Sequence, residues 1–513
     1  MLARMFSHAV LGMDASPVEV ETDLGRGLPA FSIVGLPDAA VRESRERVRA
    51  GITNSEYDFP LRRITVNLAP ADIRKEGPAF DLPIALSLLA ASEQLPSGRL
   101  AEYSAAGELS LDGSVRRING ALSLAEGARR SRHRGLLLPA ANAREAALVE
   151  GIDVLAVQTL GQAVDFLSGE LALEPVRVDA ESLLAGGSDG GPDLADVKGQ
   201  EQARRALEVC AAGGHNLLMV GPPGAGKTML ARRLPSILPA LTKREAVEIT
   251  RVYSVAGMLA EGMSLLADRP FRSPHHTISH AGLAGGGRVP RPGEVSLAHL
   301  GVLFLDELPE FSRLALETLR QPLEDGEVTI SRSLVSVTYP ARFMLVAAMN
   351  ACPCGHLGDR SRRCLCPPEK VNAYRGRVSG PLMDRIDVAI EVPPLAKRQL
   401  LSSPRREPSS AVADRVTACR QRQSARLGEA PGVFCNAQMS NRLTERHCRL
   451  EADAEKLLES GIDRLSLSAR AHQRILKVAR TIADLDGSRD ILTAHLAEAI
   501  SYRGIDRTGR DGL

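Results

Sequence analysis

The segment Gly221-Pro222-Pro223-Gly224-Ala225-Gly226-Lys227-Thr228 fits the spacing G-x-x-x-x-G-K-[ST]. Glycines let backbone N–H groups turn inward around phosphate oxygens, and a helix starting there brings its positive dipole end to the same anion. Lys227 is expected to reach the β- and γ-phosphates of ATP, and Thr228 to ligate Mg²⁺. Further along, the apolar run Gly301–Leu305 ends in Asp306-Glu307. Asp306 is expected to hold Mg²⁺ through water, and Glu307 to polarise an attacking water as general base. A third apolar run, Phe343–Met349, ends in Asn350, whose amide at a strand tip could sense the γ-phosphate.

Four cysteines form a second group: Cys352 and Cys354, then Cys364 and Cys366. Soft thiolates this close could close a tetrahedral zinc site, or remain reduced thiols. The C-x-C spacing is tighter than the common C-x-x-C. Eight cysteines in 513 residues are too few for a disulfide scaffold, so crowding suggests metal first.

These groups need elements to hold them. A length of 513 residues is too great for one core. Unbroken apolar runs such as Asn216–Val220, Gly301–Leu305 and Phe343–Met349 are expected to be buried parallel strands alternating with helices, one of them over Met229–Leu234. Residues 1–173 mix β-like runs, Phe31–Val34 and Ile64–Val66, with a helix-like stretch over Asp38–Ala50. Residues 174–195 read as a linker rich in Gly, Ser and Asp. Residues 196–395 carry the phosphate motif, and 396–513 are expected to be mostly helical. Gly186-Gly187-Ser188-Asp189-Gly190 matches G-x-S-x-G but has no apolar strand ahead of it, so no nucleophile elbow is expected.

Hydrophobic residues at 44% and charged at 25% are ordinary for a globular chain, and the net charge of +2 excludes polyanion binding by bulk charge. No targeting segment or long apolar span can be read, so a cytoplasmic protein with no membrane partner is expected.

Longer motifs are more specific. The stretch Arg269–His280 (RPFRSPHHTISH), then Gly285–His299, then Leu305–Phe311 (LDELPEF), closely resembles the magnesium-chelatase-like AAA+ ATPases, within them the YifB/ComM branch, over essentially the whole chain. The resemblance implies a homo-hexameric ring with ATP sites between subunits, built from a central AAA+ P-loop α/β domain and a C-terminal helical lid. It puts Arg385 at the arginine-finger position, with Arg377 as the fallback, and Arg470 at the second sensor on the lid. A guanidinium from next door would stabilise charge on the transferring phosphoryl group.

At the amino terminus, Lys75–Asp81 resembles the segment of Lon-type proteases that carries the nucleophilic serine. Here that position holds Ala79, and the position of the activating lysine holds Leu122. A Ser–Lys dyad cannot work with a methyl group for a hydroxyl. The expectation is a Lon protease-like (S5-type) α+β domain without peptidase activity.

Two segments resemble family inserts that face a ring's pore: His275–Gly293, with Arg288 and Arg291, and a hairpin over Glu327–Tyr339 with Ser331-Arg332-Ser333 at its tip. Their cations and hydroxyls suit phosphate oxygens and not base edges. Residues 397–450 hold eleven Lys/Arg against four Asp/Glu, a second stretch that could contact a strand. With aromatics at 3%, base stacking is not the expected grip. The resemblance implies a DNA helicase or translocase promoting branch migration in homologous recombination and natural transformation. A metal-chelatase motor subunit and a protein-remodelling ATPase are the competing expectations.

Overall fold

The computed structural model describes residues 2–186, 191–287, 289–332, 335–357, 362–394, 407–428, 430, 432–465 and 468–503. The chain is a mixed α/β protein with several layers and a helical carboxyl-terminal portion.

The amino-terminal sheet has seven strands in the order Ala30–Val34, Arg63–Ala69, Asp14–Gly25, Leu2–Leu11, Tyr103–Ala105, Gly135–Pro139, Asp153–Val157. Its long antiparallel pair alternates buried and exposed residues along Asp14–Gly25, the mark of a sheet with one covered face. The fully buried helix Asp81–Ala91 covers that face. The helix Ala39–Asn54 is capped by the Asp38 carboxylate, which accepts from the Val41 N–H at 2.8 Å.

The second sheet is parallel throughout, in the order Phe271–Arg272, Val302–Leu305, Met344–Met349, Leu217–Val220, Val388–Glu391. The three central strands are buried along their whole length, as unbroken apolar runs predict. Register does the rest: Val220 pairs with Met349 and Leu305 with Ala347. Gly221, Asn350 and Asp306 therefore leave the sheet side by side at its carboxyl-terminal edge, where open α/β sheets bind ligands.

The helices after residue 406 do not form a separate core. One apolar cluster runs from Leu217 and Val388 in the sheet, through Ala206 and Val209, to Val412, Val478 and Ala499. Polar ties cross the same boundary: Arg415 to Glu208 at 2.5 Å, Arg420 to the Ala211 carbonyl at 2.9 Å, and Arg474 to Asp387 at 3.2 Å.

Three expectations change. Within 174–195, Ala180–Ala185 is a helix: Asp179 caps it, and Ala180, Leu183 and Leu184 pack with Leu241 and Ile249. Residues 187–190 of the discarded G-x-S-x-G lie outside the described residues. The helix opening on the phosphate loop spans only Lys227–Ala231, because the chain turns at Arg232 into the short 3₁₀ segment Pro235–Ile237. In the described part of the basic stretch 397–450, which begins at Glu407, four arginines are held by groups of this same chain. Arg415, Arg420, Arg422 and Arg426 engage Glu208, the Ala211 and Asp484 carbonyls and the Asp484 carboxylate.

The amino-terminal unit docks on the helix Lys243–Ala256. Gly120 N–H donates to the Ser254 carbonyl at 3.2 Å, Arg117 to the Leu259 carbonyl at 2.7 Å, and Arg251 to the Ser123 hydroxyl at 3.1 Å. The Ser254 hydroxyl donates to the Glu145 carboxylate, which burial pushes above its usual range despite that bond.

Candidate nucleotide site

Gly224 and Gly226 take left-handed φ of 76° and 91°, so the loop turns through a conformation that side chains resist. A Cβ at Gly221 would lie 2.2 Å from the Val392 carbonyl oxygen, which only glycine permits. Gln200 supports the loop from outside, donating to the carbonyls of Pro393 at 2.6 Å and Ala225 at 3.4 Å. Lys227 is 8% exposed. Its ammonium donates to the Gly221 and Pro222 carbonyls at 2.7 and 3.0 Å and to the Asn350 amide oxygen at 3.2 Å. Burial lowers its pKa, opposed by the charges of Asp306 and Glu307.

The Thr228 hydroxyl donates to an Asp306 carboxylate oxygen at 2.6 Å, so both oxygens converge on one point beside Lys227. A hydroxyl and a carboxylate with room for waters suit Mg²⁺, which keeps much of its hydration when it joins phosphates. The other Asp306 oxygen accepts the Glu307 N–H at 2.9 Å. Glu307 has φ of 52° and an exposed carboxylate, and His276 Nδ1 lies 3.2 Å from it. His276 is a contact the sequence reading assigned no role.

Lys227, Thr228, Asp306, Glu307 and Asn350 thus lie together, as their strand tips predict. Arg385 and Arg470 do not join them. Both line a cavity of about 480 Å³ with Asp384, Gln473, Arg474 and Lys477, and no described phosphate-loop residue borders it. Arg385 is 5% exposed, bonded to Glu324 and to the Pro381 carbonyl. Arg377 sits nearer the acidic strand tip, pairing with Glu310 at 2.9 Å. Behind the cavity, burial would raise the Asp387 pKa. The Arg474 charge, the His215 ring and the Asn216 N–H outweigh it and hold Asp387 well below the usual carboxylate range.

The two inserts pack against each other. Gly285–Gly286 pairs with Arg291–Pro292, and Glu327–Arg332 with Val335–Pro340. The Tyr339 hydroxyl donates to the Pro290 carbonyl at 2.8 Å, and Arg332 to the Gly287 carbonyl at 3.4 Å. Arg291 and Arg332 are exposed on this pair, whereas Arg288 and Ser333 lie outside the described residues. Ala79 packs against Ala106 and Ile118, while Leu122 is buried among Ala246 and Ile249 of the docking helix. No described helix is long and apolar enough to cross a membrane.

A P-loop beside an acid-tipped strand in a parallel sheet of this order defines a nucleoside-triphosphate-binding α/β protein. Comparison with known proteins agrees. Residues 193–400 match the model for magnesium chelatase, subunit ChlI; residues 20–142 that for subunit ChlI of Mg-chelatase; and residues 406–503 that for its C-terminal part. The chain is 47% identical to YifB of Escherichia coli over 510 residues, 99% of this chain and 98% of that one. It is 45% identical to the competence protein ComM of Haemophilus influenzae over 513 residues, again 99% and 98%. Lon protease 2 of Bacillus subtilis is 31% identical over 150 residues, 28% of this chain and 27% of that protein. The chain belongs to the YifB/ComM family of magnesium-chelatase-like AAA+ proteins. Membership implies use of ATP with Mg²⁺.

Proposed function

We propose that this chain is an ATP-hydrolysing ring motor that moves DNA, a helicase or translocase promoting branch migration in homologous recombination and natural transformation. The observation that carries the reading is the convergence of Lys227, Thr228, Asp306 and Asn350 at one sheet edge, on a chain 45% identical to a competence protein. Loop N–H groups and Lys227 bind the β- and γ-phosphates of ATP, Thr228 and Asp306 hold Mg²⁺, and Asn350 orients the γ-phosphate. Glu307 accepts the proton of the attacking water. Arg385, lining a cavity that no described phosphate-loop residue borders, completes the site of the neighbour in a homo-hexamer, and Arg470 is the second sensor on the lid.

In this reading residues 1–173 are a Lon-like domain without peptidase activity, 174–195 a connection that carries the packed helix Ala180–Ala185, 196–395 the AAA+ domain and 396–513 the lid. The candidate contacts to the track are Arg291 and Arg332, both exposed on the packed inserts, and Arg288, which lies outside the described residues. Backbone contacts of this kind bind without sequence preference and weaken steeply with salt. Work of this kind places the protein in the cytoplasm.

The names of the matching models favour one second reading, a motor subunit of a metal-chelatase-like complex. The ATPase rate without ligand, with four-way DNA, and with porphyrin and Mg²⁺ separates the two. Stimulation by branched DNA is expected; a rate unmoved by DNA at low salt overturns the DNA reading.

A further inference from the structure

Among the described residues, Cys352, Cys354, Cys364 and Cys366 form a close cluster of reactive side chains outside the phosphate site. Their four sulfurs all lie within 4.8 Å of one another. Cys352 Sγ is 3.3 Å from that of Cys354, and the Cys364 sulfur is 3.6 Å from both. Sulfurs bound tetrahedrally at about 2.3 Å stand roughly 3.8 Å apart, so a slight expansion admits a single ion. Disulfide sulfurs would stand about 2.05 Å apart, far closer than these.

Backbone donors point at the sulfurs. Leu357 N–H donates to Cys352 Sγ at 3.3 Å, Cys366 N–H to Cys364 Sγ at 3.4 Å, and His356 N–H to Cys354. Such donors stabilise thiolate charge and fix the direction of each ligand. Gly355, with φ of 81°, makes the turn that aims them.

The same turn lies on the phosphate loop. A Cβ on Gly355 would fall 2.6 Å from Pro223 Cδ and 3.9 Å from Asn350 Cγ. Asn350 precedes Cys352 by two residues and shares a hydrogen bond with Lys227.

We propose that the four cysteines bind one structural Zn²⁺, and that the ion holds the turn at Gly355 against Pro223 and Asn350, coupling metal occupancy to nucleotide binding. The coupling rests on the phosphate-site reading; the metal site itself does not. A closed shell of four thiolates leaves the ion no open position, so it braces and does not catalyse. Binding releases the thiol protons. Coupling is reciprocal: the factor by which zinc tightens ATP is the factor by which ATP tightens zinc.

The test uses the full chain, purified reduced and without chelator. Metal analysis should find about one zinc per chain, and Co²⁺ exchanged into the site should show thiolate charge-transfer and tetrahedral d–d bands. Cys354→Ser and Cys364→Ser should lose the metal and bind ATP about tenfold more weakly, within the usual range of coupling between sites. Gly355→Ala, which leaves all four ligands, should keep zinc and still weaken ATP binding. Lys227→Ala separates the two readings, since it should lose ATP and keep zinc; retained ATP binding there would sink the phosphate site alone. Iron in place of zinc, or substoichiometric metal with no cobalt spectrum, overturns the zinc site. Wild-type ATP affinity in both the metal-free variants and Gly355→Ala overturns the coupling.

Discussion

His276 Nδ1 stands 3.2 Å from a carboxylate oxygen of Glu307, which ties the first residues of one insert to the acid proposed above to activate water. Since Glu307 is exposed and held on the backbone by a tight turn rather than by packing, its amide analogue should fold normally.

Glu307→Gln should bind ATP with near wild-type affinity while hydrolysis falls by about 10²- to 10⁴-fold, the usual contribution of a general base. Single-turnover hydrolysis with a parallel nucleotide-binding titration checks this. Undiminished turnover would assign the base elsewhere.

Arg385 faces a cavity apart from its own phosphate loop. Chains carrying Arg385→Ala and chains carrying Lys227→Ala should each be inactive, yet mixing them should restore part of the ATPase rate. A mixed ring contains interfaces where an intact loop meets an intact arginine. Mixtures as inactive as their components would contradict an arginine working across subunits.

Asp387 is enclosed by Arg474 at 3.2 Å, the His215 ring at 3.6 Å and the Asn216 N–H at 3.0 Å. Asp387→Ala strands a buried guanidinium and should cost about 3–5 kcal/mol. Because the folded-state pKa is depressed, the carboxylate's contribution is complete above the unfolded value of about 3.9 and fades as pH falls through the lower folded value. Thermal unfolding of variant and parent should therefore differ widely at neutral pH and converge in strong acid. Equal melting temperatures at pH 7 would remove Asp387 from the stability argument.

Arg332 is exposed on the paired inserts. Arg332→Ala should weaken DNA binding about equally for all sequences and reduce the slope of log affinity against log salt by about one. An unchanged slope would take this residue off the phosphates.

Strand tips were legible in the sequence because a buried parallel strand has to be apolar throughout, so the first polar residue after it marks the functional edge. Asp306 and Asn350 were found that way, and Lys227 by the glycine spacing of the loop that follows such a strand. His276 and Gln200 were not, since their roles come from loops that fold across the edge, and no local period reports that. The charge count over 397–450 overstated the free charge of its described arginines because a count along the chain is blind to partners: Arg426 meets Asp484 and Arg415 meets Glu208 only in three dimensions. The helix Ala180–Ala185 was missed for a similar reason, as its leucines find their apolar neighbours on a distant helix.

The shared core joining the sheet to the carboxyl-terminal helices limits how the proposed motor can move. With Arg474 paired to Asp387 at 3.2 Å, and Arg503 donating to the Ile386 carbonyl at 2.9 Å, the carboxyl-terminal helices and the sheet are tied into one body. In the ring proposed above, a power stroke would then open and close the seams between neighbours, leaving each protomer's interior unbent.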